Sequence, residues 1–196
     1  MAPSKIQIIR HGEKPSGSIL GYTDPSGVQT DSHSLTMQGW ARAAGLVQLF
    51  NPLNKKPRAG LATPTHIIVA DGEQAGERMK ETGSLLAASL GLTMITRFDK
   101  GKEKDLVKAV LALPPGSIVL IVWEHSKIAD IVKAFAKADG TASPKPPKSW
   151  DSKRFDLVWV FTPGAKGWSF SQVPQLILPS DSGKSMKTSW LSRLFS

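Results

Sequence analysis

Cysteine is absent from all 196 residues, which excludes disulfides, thiolate nucleophiles, iron–sulfur clusters and Cys-based zinc sites together. Acidic residues are scarce as well. Sixteen Asp and Glu stand against 25 Lys and Arg, a net charge of +9 with a pI near 9.9, so anionic partners are favoured. No apolar run approaches the ~18 residues of a membrane span, and the opening MAPSKIQIIRHG reaches charge too soon for the core of a signal peptide. These absences predict a soluble, cytoplasmic protein without membrane contact. Several catalytic motifs are missing too: there is no His-Glu-x-x-His, no Gly-x-Ser-x-Gly and no dinucleotide glycine fingerprint. Ser182 to Ser185 (SGKS) ends like a phosphate-binding loop, but Leu178 occupies the place of its first glycine and no strand leads in. Zinc hydrolysis, serine hydrolysis and nicotinamide chemistry lose their usual support, and no cofactor is expected.

What is present is a 40% hydrophobic content, enough for one domain over residues 1–196 with a sizeable core. Lys5 to Ile9, His66 to Ala70, Ile118 to Trp123, Asp156 to Phe161 and Trp168 to Val173 read as strands, and Ile118 to Trp123 (IVLIVW) is apolar on both faces. Helical spacing marks Thr36 to Phe50, with Thr36 as cap, then Glu77 to Leu90, Glu103 to Leu113 and Ile128 to Ala138. Pro15 to Ser34 reads as a functional loop, Thr93 to Lys104 as a short helix-to-helix link, and Asp139 to Ser149 as a proline-rich surface excursion. The tail after Pro179 reads as loosely ordered. Strands alternating with helices predict an α/β fold, a three-layer αβα sandwich with a mostly parallel central sheet and ligands beyond the carboxyl ends of its strands.

That rule selects residues. The chain has four histidines, and His11 and His125 fall at or just past the ends of strongly apolar strands. Arg10 precedes His11, and Arg78 stands at the start of the helix after HIIVA, within reach of the same edge. Two imidazoles and two guanidiniums repel one another unless an anion joins them, and a phosphoryl group matches guanidinium forks. An imidazole can attack phosphorus while arginines neutralise charge on the transferring oxygens.

The residues also resemble a known family, the histidine phosphatase superfamily that includes phosphoglycerate mutases and acid phosphatases. Its Arg-His-Gly signature ends the first strand here in IIRHGEKP (Ile8 to Pro15). LTMQGWARA (Leu35 to Ala43) is similar to its Leu-Thr-x-x-Gly-x-x-Arg-Ala helix start, RMKETGSLLAASLGL (Arg78 to Leu92) to its Arg-x-x-x-Thr helix, and IVLIVWEH (Ile118 to His125) to the strand bearing its second histidine. The resemblance implies a phosphoglycerate mutase-like fold, His11 as the phosphorylated nucleophile, and Arg10, Arg78 and His125 as the phosphate pocket. It implies a metal-independent phosphatase acting on a phosphorylated small molecule or phosphoprotein.

The chain departs from the family at the proton donor. Ser126 follows the second histidine where acid phosphatases place an Asp, and no inserted region follows the Arg78 helix to supply the mutase acid. Glu13, Glu124 and Asp99 remain as candidates, with Glu13 also a candidate substrate contact and Glu124 expected to point away from His125 by strand alternation. An activated leaving group, such as a phosphohistidine or a phosphoanhydride, needs no strong acid. Asp71 and Glu73, where the family usually ends its strand in Ser, would weaken anion binding; this keeps open a phosphate-binding member without catalysis, alongside mutase-type transfer. The basic residues are scattered without a dense run or aromatic interleaving, which argues against nucleic acid. Of the six tryptophans, Trp123 and Trp159 read as core, while Trp150 is a candidate for the pocket mouth.

Overall fold

A computed structural model of the chain describes residues 3–71, 76–140, 142–165 and 167–188. Strands β1 (Lys5–Arg10), β2 (His66–Asp71), β3 (Ile95–Asp99) and β4 (Ile118–Trp123) are mutually parallel, and β5 (Leu157–Gly164) and β6 (Gly167–Pro174) form an antiparallel hairpin. The sheet runs β3-β2-β4-β1-β5-β6, with β5 antiparallel to β1. Every residue of β4 after Ile118 is buried. Because successive side chains point to opposite faces, such a strand requires cover on both sides. The cover is two helix pairs: α1 (Met37–Phe50) packs on α2 (Gly76–Leu90), and α3 (Glu103–Leu111) on α4 (His125–Asp139). The molecule is thus an α/β sandwich with a largely parallel, mixed central sheet. No helix among the described residues is long and apolar enough to cross a membrane.

Three local expectations need correction. Thr93 to Lys104 contains the edge strand β3, whose Ile, Thr, Arg and Asp carry little alternation and of whose residues only Phe98 is buried. Helix α4 starts at His125 rather than Ile128, because its first turn (His, Ser, Lys) is polar and shows no apolar period. Trp150 does not line a pocket mouth. It is buried, its ring lies 5.0 Å from that of Trp159, and its Nε1 donates to the Arg154 carbonyl at 2.8 Å.

The stretch after β6 does more than trail away. Gln175 is fully buried, and its side-chain amide donates to the Leu157 carbonyl at 3.2 Å. Ile177 then lies across Gly45 of α1, where a β-carbon would sit 1.8 Å from its Cγ2. Gly45→Ala is therefore expected to destabilise the protein by ~1–3 kcal/mol through overpacking. A thermal melt reads the loss, and Ile177→Ala in the same chain should recover most of it. Identical melts for Gly45→Ala and wild type would place this segment elsewhere.

Candidate active site

Strands β1 and β4 end level. Arg10 is in register with Trp123, and the His11 N–H donates to the Trp123 carbonyl at 3.2 Å. His11 and His125 therefore leave the carboxyl edge side by side, at the centre of the sheet. Helix α2 reaches the same point: the Gly12 N–H donates to Thr82 Oγ1 at 2.8 Å, and that hydroxyl donates to the Arg78 carbonyl at 2.6 Å. The structure thus brings Arg10, His11, Arg78 and His125 together, close enough that the other three all bear electrostatically on His11.

His11 is 3% exposed, and its Nδ1 lies 2.7 Å from the Gly12 carbonyl. A carbonyl only accepts, so Nδ1 carries the hydrogen and Nε2 keeps its lone pair. Burial first, and then the Arg10 charge, push its pKa down to about 3, which leaves a neutral imidazole at neutral pH. Arg10 is equally buried; its guanidinium carbon lies 3.7 Å from the Phe155 ring centroid, and Nη1 donates to the Ser152 carbonyl. Burial lowers its pKa to about 10, so it stays cationic. Arg78 donates through Nη2 to the Ser32 carbonyl at 2.9 Å. Glu81, three residues further along α2, is buried, and its carboxylate accepts the Leu35 N–H at 2.7 Å.

The buried Nε of Arg10, Nε of Arg78 and Nδ1 of His125 have no hydrogen-bond partner among the described residues. The last lies 3.3 Å from Glu124 Oε1, an ion contact without hydrogen-bond geometry. Burial, and next to it Arg10, lower the His125 pKa. Unpaired buried donors are costly in isolation, and here they share one edge with cationic groups. Beside Arg10 opens a cavity of about 620 Å³, whose wall includes Lys14, Ile19, Leu20, Tyr22, Lys153 and Phe155.

The three candidate acids stand differently. Glu124 lies outside the strand, as the residue before α4, so strand alternation does not govern it. Burial opposes its ionisation, but hydrogen bonds from Lys100 (2.8 Å) and Ser126 (2.7 Å) outweigh that and hold its pKa at about 2. It is a fixed anion rather than a proton donor. Asp99 ends β3, which β2 and β4 separate from β1, roughly 14 Å across the sheet. The Glu13 carboxylate is engaged by Arg42 at 2.7 Å. Asp71 pairs with Lys80 at 2.8 Å, while Glu73 lies outside the described residues.

Arg42 is the residue that the sequence reading did not single out, although it stands in the LTMQGWARA segment. It is 2% exposed and binds Glu13 and Asp181 at 2.7 Å each, with Nη1 donating to Gln175 Oε1 at 2.8 Å. Asp181 falls in the stretch read as a loose tail, where nothing in the sequence signalled a partner. The loop after His11 is also held by backbone: the Glu13 carbonyl accepts the Thr36 N–H at 2.9 Å, and Thr36 Oγ1 caps α1 by accepting the Gly39 N–H at 3.1 Å. A β-carbon on Gly39 would sit 2.6 Å from the Glu13 carbonyl oxygen, which accounts for glycine in that motif.

A parallel-sheet sandwich with ligand-facing groups at its carboxyl edge is a widely shared architecture. Among solved structures, the chain is similar to a protein described as a putative phosphohistidine phosphatase SixA from Agrobacterium tumefaciens, at 12% identity and a TM-score of 0.43, over 83% of this chain and 94% of that one. It is similar to a putative SixA from Nakamurella multipartitia at 18% identity and a TM-score of 0.42, over 85% and 92%. A structure described as mycobacterial hydrolase 1 matches at 13% identity and a TM-score of 0.45, over 86% and 96%. No protein-family model matches the chain, and no curated protein does.

Two outcomes follow from the geometry. His11 has a pKa of about 3 in the fold against 6.5 ordinarily, so the unfolded chain takes up a proton that the native state refuses. Its contribution to stability is complete above pH 6.5 and is lost as pH falls towards 3, with a limiting slope of about 1.4 kcal/mol per pH unit. Denaturant melts from pH 7 to 4 should show a shallower decline in His11→Asn than in wild type; parallel declines would contradict a neutral buried His11. Arg42→Met leaves the Glu13 and Asp181 carboxylates without their shared cation and is expected to cost ~3–5 kcal/mol at neutral pH, read by the same melts.

Proposed function

We propose that the protein is a metal-independent phosphatase working through a phosphohistidine, with His11 as nucleophile and Arg10, Arg78 and His125 as the phosphate clamp. The observation that carries this reading is the set of unpaired buried nitrogens on Arg10, Arg78 and His125 around a neutral imidazole whose Nε2 is free to attack. A phosphoryl group supplies oxygens to the two guanidiniums and negative charge to a cationic edge. In the first step the Nε2 lone pair forms a bond to phosphorus as the bond to the leaving oxygen or nitrogen breaks, its electron pair departing with the leaving group. In the second, water attacks phosphorus, the P–N bond breaks, and inorganic phosphate leaves with His11 neutral again.

The proton donor decides which substrates suit this site. Glu13 is bonded to Arg42, Glu124 is held ionised, and Asp99 ends a distant strand. Nothing in that set protonates an alkoxide. The substrates proposed are accordingly phosphorylated small molecules or phosphoproteins whose leaving groups depart as stable anions or carry their own proton: phosphoanhydrides, acyl phosphates, phosphoramidates and aryl esters. Mutase-type transfer to a sugar hydroxyl is disfavoured on the same ground.

Turnover of a series of aryl phosphates in the presence of a chelator tests this. The rate constant kcat/KM should rise steeply with leaving-group acidity, vanish in His11→Ala, and fall by at least ~100-fold in Arg78→Ala. Arg78→Lys should recover only part, since it restores charge but not the planar fork. Phosphate binding with no turnover and no label on His11 would reduce the protein to an anion-binding module.

A further inference from the structure

A second cavity, of about 480 Å³, lies away from the catalytic edge. Its wall includes Ile6 of β1, four residues before Arg10 and so about 13 Å back along the strand, and Phe161 of β5. Helix α4 contributes Val132, Phe135 and Ala136, β6 contributes Trp168, and Pro146 and Pro147 of the segment after α4 close the remaining side. The floor is a packed aromatic group: the Phe135 ring lies 6.4 Å from Phe161 and 6.3 Å from Trp168. The Trp168 Nε1 donates to Asp139 at 3.0 Å, so the indole needs no further polar partner.

The rim has a different character. Among the described residues, the charged ones of the wall are Lys133, Lys145 and Lys148, one on the helix and two on the proline-rich segment, with no carboxylate. Lys133 reaches Asp130 at 3.0 Å, and 73% of its side chain remains exposed. A volume in the ligand-binding range, an apolar interior and lysines as the charged groups of the wall define the chemistry of an occupant. An apolar body fills the aromatic floor, and an anionic head meets the exposed lysines at the rim.

We propose that this cavity binds an anionic amphiphile, a molecule with one alkyl or aryl body and a carboxylate or phosphate head, independently of the catalytic edge. The head has two chemical sources, a carboxylate or a phosphate, and the lysine rim serves both. Titration of the full chain with decanoate, decyl phosphate, decanol and decyltrimethylammonium, each below its aggregation threshold, provides the test. Calorimetry and displacement of anilinonaphthalenesulfonate fluorescence both report it.

One saturable site is expected for the two anions, with binding at least ~10-fold tighter than for the cation. A preference between decanoate and decyl phosphate identifies which head the rim takes. Ala136→Phe, which places a ring inside the cavity, should weaken decanoate at least ~10-fold, and the double variant Lys145→Glu/Lys148→Glu should do so while leaving decanol nearly unchanged. Equal binding of anion and cation overturns the proposal. So does decanoate affinity that survives the lysine reversal, whose sites are exposed and compatible with folding even if Ala136→Phe is not. Displacement by inorganic phosphate alone would mean that the catalytic edge was being read instead, and would likewise overturn it.

Discussion

Two guanidiniums and two imidazoles crowd the carboxyl edge of β1 and β4, and the arrangement of nearby carboxylates follows from keeping that charge available. The nearby acids each have a further partner, and Glu124 also touches His125 itself. Glu124 takes Lys100 and Ser126, Glu13 takes Arg42, and Glu81 takes the Leu35 N–H. Arg10 is stabilised instead by the Ser152 carbonyl and the face of Phe155, which lower the cost of burying a cation without cancelling it. His11 is neutral as a consequence, since a proton there would add one more positive charge to a dry, positive site.

The parts of this arrangement legible in the sequence were those written in local chemistry. IVLIVW announces a strand buried on both faces, Thr36 announces a cap, and the edge rule places His11 and His125 at the ligand edge; that their strands are neighbours is visible only in the fold. What stayed hidden was long-range or weakly patterned. Strand β3 escaped because an edge strand with a single buried residue carries little periodicity. Arg42 and Asp181 escaped because a buried ion pair between residues 139 apart leaves no mark on either segment. The orientation of Glu124 was misjudged for a related reason: the end of β4 and the start of α4 adjoin with no linker, and alternation stops where the helix begins.

One segment serves both cavities. The stretch from Ala142 to Phe155 carries Lys145, Pro146, Pro147 and Lys148 on the wall of the apolar cavity, then Trp150 in the core, then the Ser152 carbonyl and Phe155 that hold Arg10. Trp150 anchors its middle through its contact with Trp159 and its bond to the Arg154 carbonyl. Core packing of a single indole therefore sets the position of the Arg10 acceptors.

The Arg42 network also bears on how the chain acquires its site in time. His11 directly follows β1, but the partner that completes the Arg42 cluster lies 139 residues beyond Arg42 itself. Until Asp181 and Gln175 have docked, a guanidinium bonded to Glu13 alone must sit at an unfinished surface beside the His11 loop. Contacts of such sequence separation close late and slowly relative to helix formation. During synthesis His11 is therefore made, with its strand, before the residues that lock the loop after it exist.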